Sequence, residues 1–170
     1  MTRCCRCMFA LIAAFTLGFV ATCQAAGIDA CKLISANEAG SIMGSTLSAH
    51  SMKTYAGAPN AGSMCRYSGK GIGSGFMLIA GPVNYTNAAK EVQRQEKEML
   101  SSTPPGLPKP SFVPVKGLGS AAYLAKATGY FQLHVLAHGS AIVINRNAAA
   151  TPDAVSRAKQ IARVVLKRLR

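Results

Sequence analysis

Phe131-Gln132-Leu133-His134-Val135-Leu136-Ala137-His138-Gly139-Ser140-Ala141-Ile142-Val143-Ile144-Asn145-Arg146, followed shortly by Thr151-Pro152-Asp153, is the stretch that decides the fold. Two apolar runs, 131–137 and 141–146, flank His138-Gly139 and predict a hairpin. Thr151 then caps a helix. Pro152 takes its first position, where a missing N–H costs nothing, and Asp153 places a negative charge in its first turn. Val155, Ala158, Ile161, Ala162, Val165 and Leu169 line up as one apolar stripe. A helix with one such face must pack on the sheet that the hairpin starts.

Working upstream, 121–125 reads as a further strand. Thr103-Pro104-Pro105-Gly106-Leu107-Pro108-Lys109-Pro110 is a stiff connector, because proline fixes φ and removes donors. Before it, Thr86 is expected to cap a helix over 87–101, with Ala88, Val92, Gln95 and Met99 at helical spacing. Strands are expected at 64–67 and 76–80, joined by the glycine-dense Ser68-Gly69-Lys70-Gly71-Ile72-Gly73-Ser74-Gly75. The polar stretch 45–63 holds at most an edge strand around 49–55. A first helix over 36–43 opens on a capping box, Ser35 with Glu38, and stops at Gly44. The order helix, strands, helix, strands, helix specifies an α+β domain, an antiparallel sheet packed with helices.

The first residues read as a secretory signal. Arg3 and Arg6 supply a positive start, 8–20 is an apolar run of about 13 residues, and Cys23-Gln24-Ala25 offers small residues before a cut. Residues 1–25 are therefore expected to be removed, leaving 26–170 as one domain of about 145 residues. Val20-Ala21-Thr22-Cys23 also fits a lipoprotein site with Cys23 acylated, but Thr22 is a poor residue immediately before such a cysteine. The apolar run falls short of the roughly 20 residues a spanning helix needs. Nineteen lysines and arginines against six acids give the whole chain +13. Without Arg3 and Arg6 the balance is about +11, which favours anionic partners: lipid head groups, acidic polysaccharide or acidic protein. Of six cysteines, Cys4, Cys5, Cys7 and Cys23 leave with the signal. Cys31 and Cys65 then pair in one way only, and oxidising conditions favour a disulfide over free thiols or a metal pair.

Asp29-Ala30-Cys31-Lys32-Leu33-Ile34-Ser35 with Glu38, Cys65-Arg66-Tyr67, Gly117-Leu118-Gly119-Ser120-Ala121-Ala122-Tyr123, and Gly129 with Leu133 and Val135 carry a resemblance. The chain resembles a broad class of bacterial exported proteins and lipoproteins of unknown function. The class shows a cysteine at a leucine-rich helix entry, a second cysteine followed by an aromatic, and a GLGDAAY strand start. The resemblance implies a compact α/β sandwich similar to the PsbP-like fold and a cell-envelope location, and it brings no established reaction. Where such proteins carry aspartate before the Ala-Ala pair this chain has Ser120, so a role tied to that acid is not carried over.

No stretch supplies a catalytic set. The glycine-rich 69–75 lacks Gly-Lys-[Ser/Thr] and leads into a strand, whereas phosphate loops lead into a helix. His134 and His138, read on one strand, share a face but lie roughly 13 Å apart, too far to chelate one ion. His50 is remote in sequence, so no metal site and no cofactor are expected. No Gly-x-Ser-x-Gly elbow occurs, and the carboxylates are scattered. Lys159, Arg163, Lys167 and Arg170 recur at helical spacing beside the apolar stripe and form a candidate anion-binding ridge; the competing reading is an ordinary solvated face. The expectation is a non-enzymatic envelope protein, periplasmic or extracellular, that associates with an anionic surface or partner. The alternative is a small-ligand carrier with a pocket between sheet and helices and Tyr123, Tyr130 and Phe131 near its mouth. An enzyme ranks third.

Overall fold

A computed structural model describes residues 28–52, 62–71 and 73–169. The chain runs α1 (Ala30–Leu33), α2 (Ala36–Met43), β1 (Leu47–Met52), β2 (Ser63–Gly69), β3 (Phe76–Pro82), α3 (Ala88–Ser102), β4 (Ser111–Pro114), β5 (Ala121–Ala127), β6 (Tyr130–Ala137), β7 (Ser140–Arg146) and α4 (Pro152–Arg168). The strands form one antiparallel sheet in the order β1-β2-β3-β7-β6-β5-β4. The fold is α+β, with helices packed on the sheet.

Register explains which side is core. Cys65, Leu78, Ile144, Leu133 and Leu124 stand opposite one another across five strands. All five are buried in the cluster that also takes in Ala158, Ile161, Ala162 and Val165 of α4. Because successive residues of a strand face opposite ways, the neighbouring row, Arg66, Met77, Asn145 and Gln132, lies on the other face. There α3 packs against β5, where the Tyr123 hydroxyl donates to Gln95 Oε1 at 3.1 Å.

Local chemistry sets the element ends. Ser35 and Glu38 form the capping box, and Gly44 ends α2 at φ 69° in the left-handed region that glycine enters without strain. Thr151 accepts from the Ala154 N–H, with Pro152 in the first turn of α4. The β6–β7 turn puts His138 at φ 51° and Gly139 at φ 69°, the signature of a type I′ hairpin. His138 is thus a turn residue, and the one-face relation to His134 expected for a continuous strand does not arise. The Cys31–Cys65 disulfide joins α1 to β2. Beside it the buried Tyr67 hydroxyl donates to the Ile34 carbonyl at 2.7 Å, and its ring stacks on Phe76 at 4.4 Å.

The structure corrects four sequence readings. Asn87, not Thr86, caps α3, its side chain accepting from the Lys90 N–H. β1 lies two residues earlier than expected at its start, and 53–55 fall outside the described residues. α1, a single turn capped by Asp29 accepting from the Cys31 N–H, precedes the expected first helix. Pro110 and Pro114 flank and end β4, a strand the proline-rich reading passed over. It is an edge strand, where one side makes no ladder bonds and proline is tolerated. The signal segment 1–25, Cys23 included, lies outside the described residues.

Candidate functional site

α4 has three sides with different work. Ala154, Ala158, Ile161, Ala162 and Val165 face the sheet. One flank carries Arg157 and Arg168, which reach back to the start of the chain. Arg157 pairs with Asp153 at 2.9 Å and donates to the Ile42 and Met43 carbonyls at the end of α2. Arg168 donates to the Leu33 carbonyl at 2.9 Å and pairs with Glu38. These arginines satisfy carbonyls that helix ends leave without partners. Arg168, together with the Ser35 N–H and hydroxyl, pulls the Glu38 carboxyl down to about 2.

The outward side holds the ridge. Lys159, Arg163 and Lys167 are spaced by four, so they share the face opposite the apolar stripe. Arg163 and Lys167 are exposed and Lys159 is half-buried. None of the three makes an ion pair among the described residues. Five of the six acids are committed elsewhere: Asp29 to Lys32, Glu91 and Glu98 to Arg94, Glu38 and Asp153 to the inner flank of α4; the sixth, Glu96, lies on α3. Arg170, the fourth expected member, lies outside the described residues.

Tyr123, Tyr130 and Phe131 do not share a mouth. Phe131 is wholly buried on the core side, under the Arg146 guanidinium at 5.9 Å from its ring centre. Tyr123 is buried on the opposite face, stacked on His134 at 4.5 Å and tilted against Phe112 at 5.9 Å. Strand alternation separates the two residues, because Tyr123 is paired with His134 and Phe131 with Lys126. Tyr130, half-buried, begins β6. Burial raises the Tyr123 phenol well above its ordinary value and pushes His134 down to about 4. His134 Nε2 lies 2.9 Å from Gln132 Oε1, a neutral partner that does little to hold a proton on the ring.

Arg146 is a residue the sequence reading left inside a strand. It is 7% exposed, donates to the Gly73 carbonyl at 2.9 Å and the Ala154 carbonyl at 3.4 Å, and so ties the β2–β3 hairpin to the start of α4. Burial lowers its pKa. The hairpin it grips borders a cleft of about 460 Å³ whose lining includes Arg66, Ser68, Met77, Asn145 and Asn147. A second hollow of about 370 Å³ lies where α2, the hairpin and α4 meet, with Arg146, Arg157 and Asp153 in its wall. Among the described residues no group of three histidines, cysteines, aspartates or glutamates is placed to hold a metal ion. No helix among them is long and apolar enough to cross a membrane.

No family model and no curated protein matches the chain. Among solved structures, the crystal structure of a GTP binding regulator from Thermotoga maritima is similar at TM-score 0.41 and 10% identity. The match covers 79% of this chain and 89% of that one.

Proposed function

We propose that this is a non-enzymatic, exported cell-envelope protein that attaches to an anionic surface or partner through the outer face of α4. One observation carries the reading: Lys159, Arg163 and Lys167 stand side by side with no acid paired to them among the described residues, while Arg157 and Arg168 on the same helix are consumed by structural contacts. Cations with internal partners hold a fold together, and those without remain available to a partner. The Cys31–Cys65 disulfide supports an oxidising compartment outside the cytoplasm.

The test is retention on anionic phospholipid vesicles and acidic polysaccharide beads. Each basic residue near such a surface contributes about 1 kcal/mol, so Lys159→Glu, Arg163→Glu and Lys167→Glu together are expected to weaken retention by at least roughly 100-fold. Wild-type retention falls as salt shortens the screening length. Equal, salt-insensitive retention of both proteins refutes the reading. A second reading, a carrier of a small ligand, finds its footing in the cleft beneath the β2–β3 hairpin, away from Tyr123, Tyr130 and Phe131.

A further inference from the structure

We infer that the cleft beneath the β2–β3 hairpin binds a small hydroxylated anion, a sugar-sized compound bearing one carboxylate or phosphate. The inference deepens the carrier reading and is independent of the α4 ridge.

The floor of the cleft follows from register. Arg66, Met77 and Asn145 are successive partners across β2, β3 and β7, so their side chains stand next to one another on the face away from the α4 core. Arg66 is exposed and makes no ion pair among the described residues. No acid lines the cleft. A guanidinium offers a fork of donors that fits two oxygens of one carboxylate or phosphate, and here no ion-pair partner among the described residues competes for it. Asn145 stands two strands away in the same row, and its side-chain oxygen is buried with no hydrogen-bond partner among the described residues. That oxygen is screened from the cleft as placed, and a turn of the side-chain amide lets the group meet a ligand hydroxyl as acceptor or donor. Ser68 and Asn147 add further groups of both kinds, and Met77 between the polar pair gives an apolar spot for the carbon skeleton of a ligand.

The hairpin wall of the cleft is held at two points. Ser74 donates its hydroxyl to the Gly71 carbonyl at 2.8 Å, and Arg146 grips the Gly73 carbonyl from the core side. Gly75 lies so close to the Tyr67 carbonyl that a Cβ there would collide with it, so the hairpin returns to the sheet along a path open to glycine alone. The glycines rejected as a phosphate loop therefore have another use. They form one wall of the cleft that Arg66 also lines. A volume of about 460 Å³ lies within the range of small-molecule sites.

Calorimetric titration of the purified full chain tests this with three probes: glucuronate, glucose 6-phosphate and inorganic phosphate. Glucuronate or glucose 6-phosphate is expected to bind saturably and more tightly than inorganic phosphate, and which of the two binds identifies the anionic group. Arg66→Gln, at an exposed position, is expected to weaken that binding at least tenfold, and Asn145→Ala several-fold, with unfolding temperatures recorded to show that both variants fold. The triple variant Lys159→Gln, Arg163→Gln, Lys167→Gln should bind within twofold of wild type. Absence of binding by all three probes overturns the inference, as does binding unchanged in Arg66→Gln. Binding lost in the triple variant but kept in Arg66→Gln assigns the anion to α4 and also overturns it. Vesicle retention through the ridge stands or falls separately.

Discussion

His134 makes stability depend on pH in a window that its own replacement removes. The imidazole stacks on Tyr123 across β5 and β6, and burial alone drives its pKa from 6.5 to about 4. Between those values the unfolded chain takes up a proton that the folded chain refuses. The sign follows: the folded state has its full stability above about pH 6.5 and loses it as the pH falls toward about 4. Linkage with these two values gives a loss of about 2 kcal/mol by pH 5 and about 3 kcal/mol by pH 4. Glu38, with its pKa lowered to about 2 from 4.5, contributes mainly below the lower end of that window, so a comparison that stops at pH 5 isolates the histidine. The assay is urea unfolding of wild type and His134→Gln at about pH 7.5 and at pH 5. Wild type should lose about 2 kcal/mol between them and the variant should lose little, whatever its absolute stability. An equal loss in both proteins refutes the assignment, because the responsible proton would then bind elsewhere.

Two further outcomes follow from the first half of the chain. Cys31→Ala with Cys65→Ala opens a link spanning 34 positions; the chain-entropy model gives a loss of ~4 kcal/mol, or about 10–15 °C in unfolding temperature. Calorimetry under non-reducing conditions reads it, and a shift of less than about 3 °C contradicts the link. Tyr67→Phe removes only the hydroxyl that donates to the Ile34 carbonyl at 2.7 Å. Stranding that buried acceptor should cost about 1–3 kcal/mol in urea unfolding, and an unmoved midpoint would show that the carbonyl has another donor.

What the sequence made readable was local. Ser35 with Glu38, Gly44, Thr151-Pro152 and His138-Gly139 each encode their geometry within a few residues, and α2, α4 and the β6–β7 hairpin appear where those signals place them. β4 was not readable, because whether proline is tolerated depends on a strand lying at the edge, and edge position is decided by β5 rather than by the segment itself. The same limit governed the candidate sites. Helical spacing placed Lys159, Arg163 and Lys167 on one side of α4, but it could not show that Arg157 and Arg168 face α1 and α2, since that depends on which flank of α4 those helices occupy. Tyr123 and Phe131, grouped as aromatics near one another in sequence, were separated by alternation once register was fixed. Arg66 and Asn145 are 79 positions apart in the numbering and become neighbours only through β3. A signal did exist, in the glycine-dense hairpin, but composition alone does not say what a loop covers.

The strand order has a consequence for how the molecule is made. Strands β1 to β3 and β4 to β7 each pair with chain neighbours, and the two groups meet only along β3 and β7, from Met77 opposite Asn145 to Pro82 opposite Ser140. A chain synthesised N-terminus first therefore completes its first group, including both cysteines of the disulfide, long before the strand that must lie beside β3 has emerged. Until then β3 presents a bare edge of unpaired N–H and C=O groups, and the core face waits for α4 to cover it. The Cys31–Cys65 bond lies wholly within the first group, whereas β3 and the core face are covered only by elements that follow. A chain interrupted before β7 would hold both cysteines on an unfinished sheet, with an open strand for proteases and chaperones to recognise.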